Sequence, residues 1–306
     1  MRGVTSTVLG GMVLLMAGWF GCGEPTGQPV EEAPSGPPYA PVWDGEPLGG
    51  ERPVEPVLPV DYDVNKRWPL VIALHGFSAS PDWIDDYFGV RREAEERGFI
   101  ALMPEGTLGA GDLAFWNATP ACCDFADVGV DDVAYLSALI EEAQERLAVD
   151  PERIYFMGHS NGGFMSYRMA CELSEKIRGV AVASGSSLAD ASACGTPSPL
   201  RVLHVHGTED NVIPYQGGSF GRDDFPGVQD VVARWVERNG CAGVPTEEGP
   251  VDLSSGVFGR ESTIERWAEC ESGMSVELWT VNGADHFPWL NLRGQDALFD
   301  ALLDED

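Results

Sequence analysis

The run IYFMGHSNGGFMSYRMACEL, which begins at Ile154, constrains the fold more than any other stretch of the chain. An apolar, strand-like segment breaks at Gly-His-Ser-Asn-Gly and restarts at once with helical character. Gly158 and Gly162 flank Ser160 at the G-x-S-x-G spacing. Small residues two before and two after the serine let the backbone turn sharply enough to lift a hydroxyl above a sheet. Gly163 adds room for close packing. The spacing alone is weak; between a strand and a helix it makes Ser160 a candidate nucleophile, against the plainer reading of an ordinary turn serine.

The flanking sequence supplies that context. Residues 69–76 (PLVIALHG), 98–106 (GFIALMPEG), 153–158 (RIYFMG), 177–185 (IRGVAVASG), 199–207 (PLRVLHVHG) and 274–281 (MSVELWTV) read as buried strands. Helices are expected over 90–97, 129–147, 161–173, 228–238 and 295–302. The helix over 129–147 has apolar residues at helical spacing, acids near its start and Arg146 near its end, which suits the helix dipole. Continuous apolar strands separated by helices predict a mostly parallel sheet covered on both faces. The 30 residues from Cys241 to Cys270 read as a loop-rich excursion over the sheet edge.

A serine hydroxyl needs a base, and the chain has five histidines. His159 sits on the elbow and is expected to point away; His75 precedes the nucleophile; His204 and His206 alternate on one face of a strand, where packing and hydrogen bonding account for them. His286, in VNGADHFPW, is the candidate base and falls last in the chain. Asp210, just past the strand that carries His204 and His206, is the candidate acid that orients it. Its neighbour Glu209, and Asp285 beside the base, are weaker candidates. Developing oxyanion charge would meet the backbone N–H groups of Asn161 and Phe77, the latter in the loop HGFSAS. Trp116, Tyr215 and Trp289 are candidate substrate-binding residues, because their loops fall at the carboxyl ends of strands.

Composition narrows the partners. The 306 residues carry 49 acidic and 19 basic side chains, a formal net charge of −30, and the only lysines are Lys66 and Lys176. No basic cluster can neutralise phosphates, so nucleic acid is not an expected partner. Arg2 followed by the mostly apolar run of residues 8–22 reads as an export signal over 1–22, with Cys22 a candidate lipidation site. Residues 23–56, rich in Pro, Gly and Glu, read as a disordered tether, and 57–306 as one domain. The six cysteines beyond Cys22 suggest three disulfides in an exported chain. Fifteen pairings exist; Cys241–Cys270 is the expected local pair, while Cys122 and Cys123 are expected to bond to Cys171 and Cys194 rather than to each other. A zinc site would need histidines at ligand spacing near these cysteines, so neither metal nor cofactor is expected.

Taken in order, PLVIALHGF, WNATPACC leading into GVDDVAYLSALI, RIYFMGHSNGGFMSYRMACE, PLRVLHVHGTEDNVIPYQGG, ERNGC and NGADHFPW resemble the secreted polyhydroxybutyrate depolymerase and LpqC-like family, related to the feruloyl and acetylxylan esterases of carbohydrate esterase family 1. The resemblance spans roughly residues 57–290. It implies an α/β-hydrolase fold and a metal-free serine esterase with Ser160 as nucleophile, Asp210 as acid, His286 as base and the HGF loop as oxyanion segment; a monomer is expected. It also implies an extracellular disulfide framework and a small-molecule or oligomeric ester substrate of the hydroxyalkanoate, feruloyl or acetyl class. His286-Phe287-Pro288-Trp289 departs from the family's usual His-Thr-Trp-Pro, and Phe77 stands where a smaller residue is common. A serine peptidase of the same fold would need a peptide pocket and an added lid or propeller. A catalytically silent surface binding protein would not need the serine, acid and base in this order.

Overall fold

The computed structural model describes residues 43–220 and 223–303. The expected export signal, Cys22 and most of the expected tether lie outside the described residues. In chain order the elements are β1 (Trp68–Leu74), α1 (Pro81–Phe88), α2 (Val90–Arg97), β2 (Ile100–Leu102), β3 (Thr107–Leu108), β4 (Ala114–Phe115), α3 (Asp132–Arg146), β5 (Val149–His159) and α4 (Asn161–Glu172). There follow β6 (Gly179–Ala183), β7 (Arg201–Gly207), β8 (Gly218–Phe220), β9 (Asp223–Phe225), α5 (Val228–Arg238), β10 (Thr246–Val251), β11 (Ser262–Trp267), β12 (Val276–Val281) and α6 (Leu292–Leu303).

Eight of these strands form one sheet in the order β10-β11-β12-β7-β6-β5-β1-β2. The six from β12 to β2 run parallel. Strand alternation then divides the core. Leu70, Ile72 and Leu74 of β1 face one layer with Leu136, Leu139 and Ile140 of α3, Phe164 of α4 and Trp235 of α5. Val71 and Ala73 face the other, with Ile84 and Phe88 of α1, Ala94 of α2 and Leu298 and Phe299 of α6. Because both faces are covered, the strands are apolar at every position instead of at every second one.

Three expectations need correction. The stretch between Cys241 and Cys270 is not mainly loop: β10 and β11 pair antiparallel and extend the sheet edge beside β12. β10 is exposed at five of its six positions, so it lacks the apolar run that marks the inner strands. α1 was not expected either; Ser80 caps it by accepting from the Trp83 N–H, and Pro81 opens its first turn. Finally, the folded unit begins before Val57. Leu48 and Val54 are buried and pair with each other, and Arg146 of α3 ties the same segment down through Asp44 and the carbonyls of Glu46 and Pro47. Pro and Gly content hid two buried aliphatics. Val57 itself pairs with Ala101 on the outer edge of β2.

The cysteines pair as Cys171–Cys194, Cys241–Cys270 and Cys122–Cys123. The second pair is as expected; the adjacent pair is not. Cys171 on α4 and Cys194 in the turn 191–194 have Cα atoms only 4.9 Å apart, so they satisfy each other and leave Cys122 and Cys123 together.

Asp132, at the start of α3, fixes the loop between β4 and α3. Its carboxylate is buried and accepts from Arg52 Nη1 at 2.8 Å and from the Asn117 N–H at 2.7 Å. The Arg52 guanidinium also lies 3.5 Å from the centre of the Tyr135 ring. Removing one partner of such a pair leaves a desolvated charge. Asp132→Ala is therefore expected to destabilise the protein by about 3 kcal/mol, read as a lower urea midpoint; a midpoint unchanged from wild type would show that this ion pair does not hold the loop.

Candidate active site

Ser160 sits between β5 and α4 with φ 54° and ψ −117°, a conformation that a non-glycine residue adopts only when its surroundings enforce it. The enforcement is steric. A Cβ on Gly162 would lie 2.0 Å from the carbonyl oxygen of Leu74 in β1, and one on Gly158 would lie 2.3 Å from the backbone of Gly162. The first turn of α4 is thus pressed against the end of β1, and the Ser160 N–H is tied to the Ala183 carbonyl of β6. Its side chain faces an open cleft of about 430 Å³ lined by Gly76, Phe77, Trp83, His159, Val212, His286 and Phe287 among others.

Ser160, Asp210 and His286 follow the carboxyl ends of β5, β7 and β12. β12 and β7 are neighbours, so the loops carrying His286 and Asp210 are laced together. Glu209 N–H donates to Ala284 O, and a Cβ on Gly207 would lie 2.3 Å from that same oxygen. His286 Nδ1 lies 2.8 Å from Asp210 Oδ2. Since a carboxylate only accepts, the proton is on Nδ1, and Nε2 is left as the acceptor. The other oxygen, Asp210 Oδ1, accepts from the N–H groups of Val212 and Ile213, each at 2.8 Å. Burial on its own would raise the Asp210 carboxyl; the hydrogen bonds from His206 and His286 outweigh it and hold the group well below the usual carboxylate range.

Phe77 lines the cleft with Ser160, and Asn161 follows Ser160 at the start of α4. Gly76 comes close enough that an added Cβ would touch Ser160 Cβ at 3.4 Å. The loop is braced by Ser78 N–H donating to Ala114 O and Ala79 N–H to Gly76 O. Asn161 is the first residue of α4, where backbone N–H groups have no partner within the helix. Its buried side chain exchanges two 2.8 Å hydrogen bonds with the backbone of Trp116 and reaches Cys122 Sγ at 3.5 Å.

The candidate substrate-binding residues divide. Trp116 is fully buried, with Nε1 donating to His75 O, and does not line the cleft. Tyr215 is buried too, its hydroxyl bonded to Thr280 and Gln229. Both belong to the core of their loops: aromatic rings that can bury more than their loops expose were drawn inward. Trp289 is partly exposed and packs edge-on against Trp83 and tilted against Tyr87, without itself lining the cleft. Trp83, which α1 brings to the cleft, was missed. The signal that could have found it is the Ser80-Pro81 helix start three residues earlier.

His159 was also misjudged. Instead of pointing away, its ring stacks on Phe287 and its Nε2 lies 2.9 Å from His286 O. Only a protonated Nε2 can meet a carbonyl, so His159 steadies the backbone of the loop that carries His286. Burial first, then the nearby His286, push its pKa down from 6.5 to about 3. Among the described residues no group of three or more His, Cys, Asp or Glu side chains is arranged to hold a metal ion.

An elbow serine at the carboxyl edge of a six-strand parallel run, with an acid and an imidazole from later loops, defines the α/β-hydrolase fold. A family model described as Phospholipase/Carboxylesterase matches residues 127–222. The chain is 30% identical over 237 residues to feruloyl esterase B of Piromyces equi, covering 75% of this chain but 41% of that protein, so it spans less than half of that relative. It is 28% identical over 253 residues to feruloyl esterase D of Neurospora crassa, covering 79% and 76%. Among solved structures, acetyl xylan esterase from Aspergillus awamori superposes with a TM-score of 0.58 at 14% identity, over 85% of this chain and 98% of that one.

Two outcomes follow from this geometry. Gly162→Ala, whose methyl would meet the Leu74 carbonyl, is expected to cost more than about 3 kcal/mol and to show as loss of soluble folded protein or a sharply lowered Tm. For His159, the native state refuses a proton that the unfolded chain accepts between pH 6.5 and about 3. Its contribution to stability is complete above that window and is lost as pH falls through it. Urea midpoints should fall less steeply with acidification in His159→Phe than in wild type; parallel curves would contradict a buried neutral imidazole.

Proposed function

We propose that this chain is an exported serine carboxylic ester hydrolase, with Ser160 as nucleophile, His286 as general base and Asp210 as the acid that orients it. The observation that carries this reading is the 2.8 Å bond from His286 Nδ1 to Asp210 Oδ2 at the wall of the cleft that Ser160 faces. It leaves Nε2 as the acceptor for a serine proton. His286 takes the Ser160 proton as the oxygen attacks an ester carbonyl. The Phe77 and Asn161 N–H groups receive the negative charge, each worth about 3 kcal/mol in the transition state. The imidazolium then protonates the departing alcohol. Water, deprotonated by the same imidazole, cleaves the acyl-enzyme and restores Ser160.

The cleft also bears on the acyl group. Trp83, Phe287 and Val212 give it apolar walls, and an acetyl group would leave most of its volume to water. A feruloyl or hydroxyalkanoate acyl chain fills it better, and similarity to two feruloyl esterases supports the first. Trp289, in edge contact with Trp83 of the cleft wall, is the candidate to meet the alcohol side of the ester. Three disulfides suit an oxidising compartment, in keeping with export by the signal read in residues 1–22. Lipid attachment at Cys22 belongs to the same reading.

The test is hydrolysis of p-nitrophenyl acetate, methyl ferulate, acetylated xylan and hydroxybutyrate oligomers by wild type and Ser160→Ala. Wild type should turn over methyl ferulate with a higher kcat/KM than the acetyl ester. Ser160→Ala should retain less than about 1/1,000 of the activity; activity surviving in that variant would refute the assignment. Trp83→Ala is expected to raise KM about tenfold for methyl ferulate and little for p-nitrophenyl acetate. Equal effects on both would remove Trp83 from the acyl site.

A further inference from the structure

Beside Asp210, three buried side chains are joined end to end. Tyr167 Oη lies 2.8 Å from His204 Nδ1, His204 Nε2 lies 3.0 Å from His206 Nδ1, and His206 Nε2 lies 2.8 Å from Ile213 O and 3.2 Å from Asp210 Oδ2. His204 and His206 are fully buried, and Tyr167 nearly so. The sequence accounts for both histidines by packing and hydrogen bonding.

The direction of every bond in this chain follows from its last link. Ile213 O and Asp210 Oδ2 can only accept, so His206 Nε2 carries a proton. A neutral His206 then accepts at Nδ1, which makes His204 Nε2 the donor. His204 in turn accepts at Nδ1, which makes the Tyr167 hydroxyl the donor. The reverse polarity would set a lone pair of His206 against two acceptors. Neutrality of His204 has its own support: burial, with the neighbouring His206 second, drives its pKa well below 6.5. One oxygen of Asp210 thus takes the His286 N–H at 2.8 Å and lies 3.2 Å from His206 Nε2, which also bonds Ile213 O at 2.8 Å, while the other oxygen receives two backbone N–H groups.

We infer that His206 is a positioning residue for Asp210: its Nε2–H, held in that tautomer by His204 and Tyr167, shares Oδ2 with His286 and so fixes the direction and strength of the Asp210–His286 bond. The inference rests on the ester-hydrolase reading for its catalytic consequence but not for its geometry. The groups facing this array are few. Tyr215 meets the His206 ring edge-on, while His159, Asp285 and Tyr87 surround His286 and Asp210 from β5, the base loop and α1. None of these donates to Asp210 Oδ2, so none substitutes for His206.

Two variants separate the possibilities. His206→Phe fills the space and removes the donor. His206→Gln returns an N–H close to the position of Nε2. In His206→Phe the carboxylate charge is no longer shared, so His286 should hold its proton to higher pH. The acid limb of the kcat/KM profile should move upward, kcat should fall about tenfold, and KM should stay within about twofold. His206→Gln should bring the limb back toward its wild-type position. A limb that stays put, or moves down, in His206→Phe would overturn the inference and leave Ile213 O as the only meaningful acceptor.

The proton between His286 and Asp210 provides a readout that needs no substrate. Its downfield proton NMR resonance should move further downfield in His206→Phe and return in His206→Gln; an unchanged resonance across all three proteins would also overturn the inference. Wild type inactive on every ester, or Ser160→Ala fully active, would sink the ester-hydrolase reading, while the NMR series would still decide the role of His206. If His206→Phe fails to fold, His206→Leu with the same two measurements takes its place.

Discussion

The whole cleft depends on one close approach, that of Gly162 to the Leu74 carbonyl at the end of β1. Because no side chain fits between them, α4 begins hard against the sheet and the chain must reverse within a residue or two of Ser160. That reversal accounts for the left-handed φ of the serine and for the exposure of its oxygen. It also fixes the start of α4, where the buried Asn161 side chain grips the Trp116 backbone beside the Cys122–Cys123 pair. Backbone contact, more than any polar interaction, sets the positions from which chemistry could start.

The second theme is how a strongly acidic protein keeps a carboxylate buried. Among the described residues, no lysine or arginine is paired with Asp210. Four neutral or nearly neutral N–H groups surround it instead, two from the backbone and two from imidazoles. Such an arrangement needs no permanent cation among the residues that line the cleft. It keeps the charge of the acid available to a neighbour that gains and loses a proton. Neutral His159 plays a comparable part from below, holding the His286 carbonyl while adding no charge.

Sequence alone disclosed what depends on local pattern. The inner strands appear as continuous apolar runs, and the elbow appears as two glycines around a serine. The residues 160, 210 and 286 were selected by chain order, and the structure brings them to one edge of the sheet. What stayed hidden depends on partners remote in sequence. β10, reading TEEGPV, has almost no apolar face because it borders solvent, so periodicity is silent there. Trp116 and Tyr215 looked like cleft residues because their loops end near the right strands, but a loop's position does not say which way a ring turns. Pairing of Cys171 with Cys194 follows from α4 lying against the turn 191–194, a tertiary fact. The linked array of Tyr167, His204 and His206 crosses from α4 to β7, and only the alternation of the two histidines hinted at it.

The two borders of the sheet are closed by different means. Along β2, Val57 occupies the hydrogen-bonding groups of Ala101. Along β10, Glu247 and Glu248 stand exposed next to Pro250, which has no N–H to offer. Another chain docking its own strand there would have to desolvate two carboxylates and forgo a ladder bond. At high concentration, molecules of this protein should therefore resist stacking into extended fibrils, even though an eight-stranded sheet is in principle a template for them.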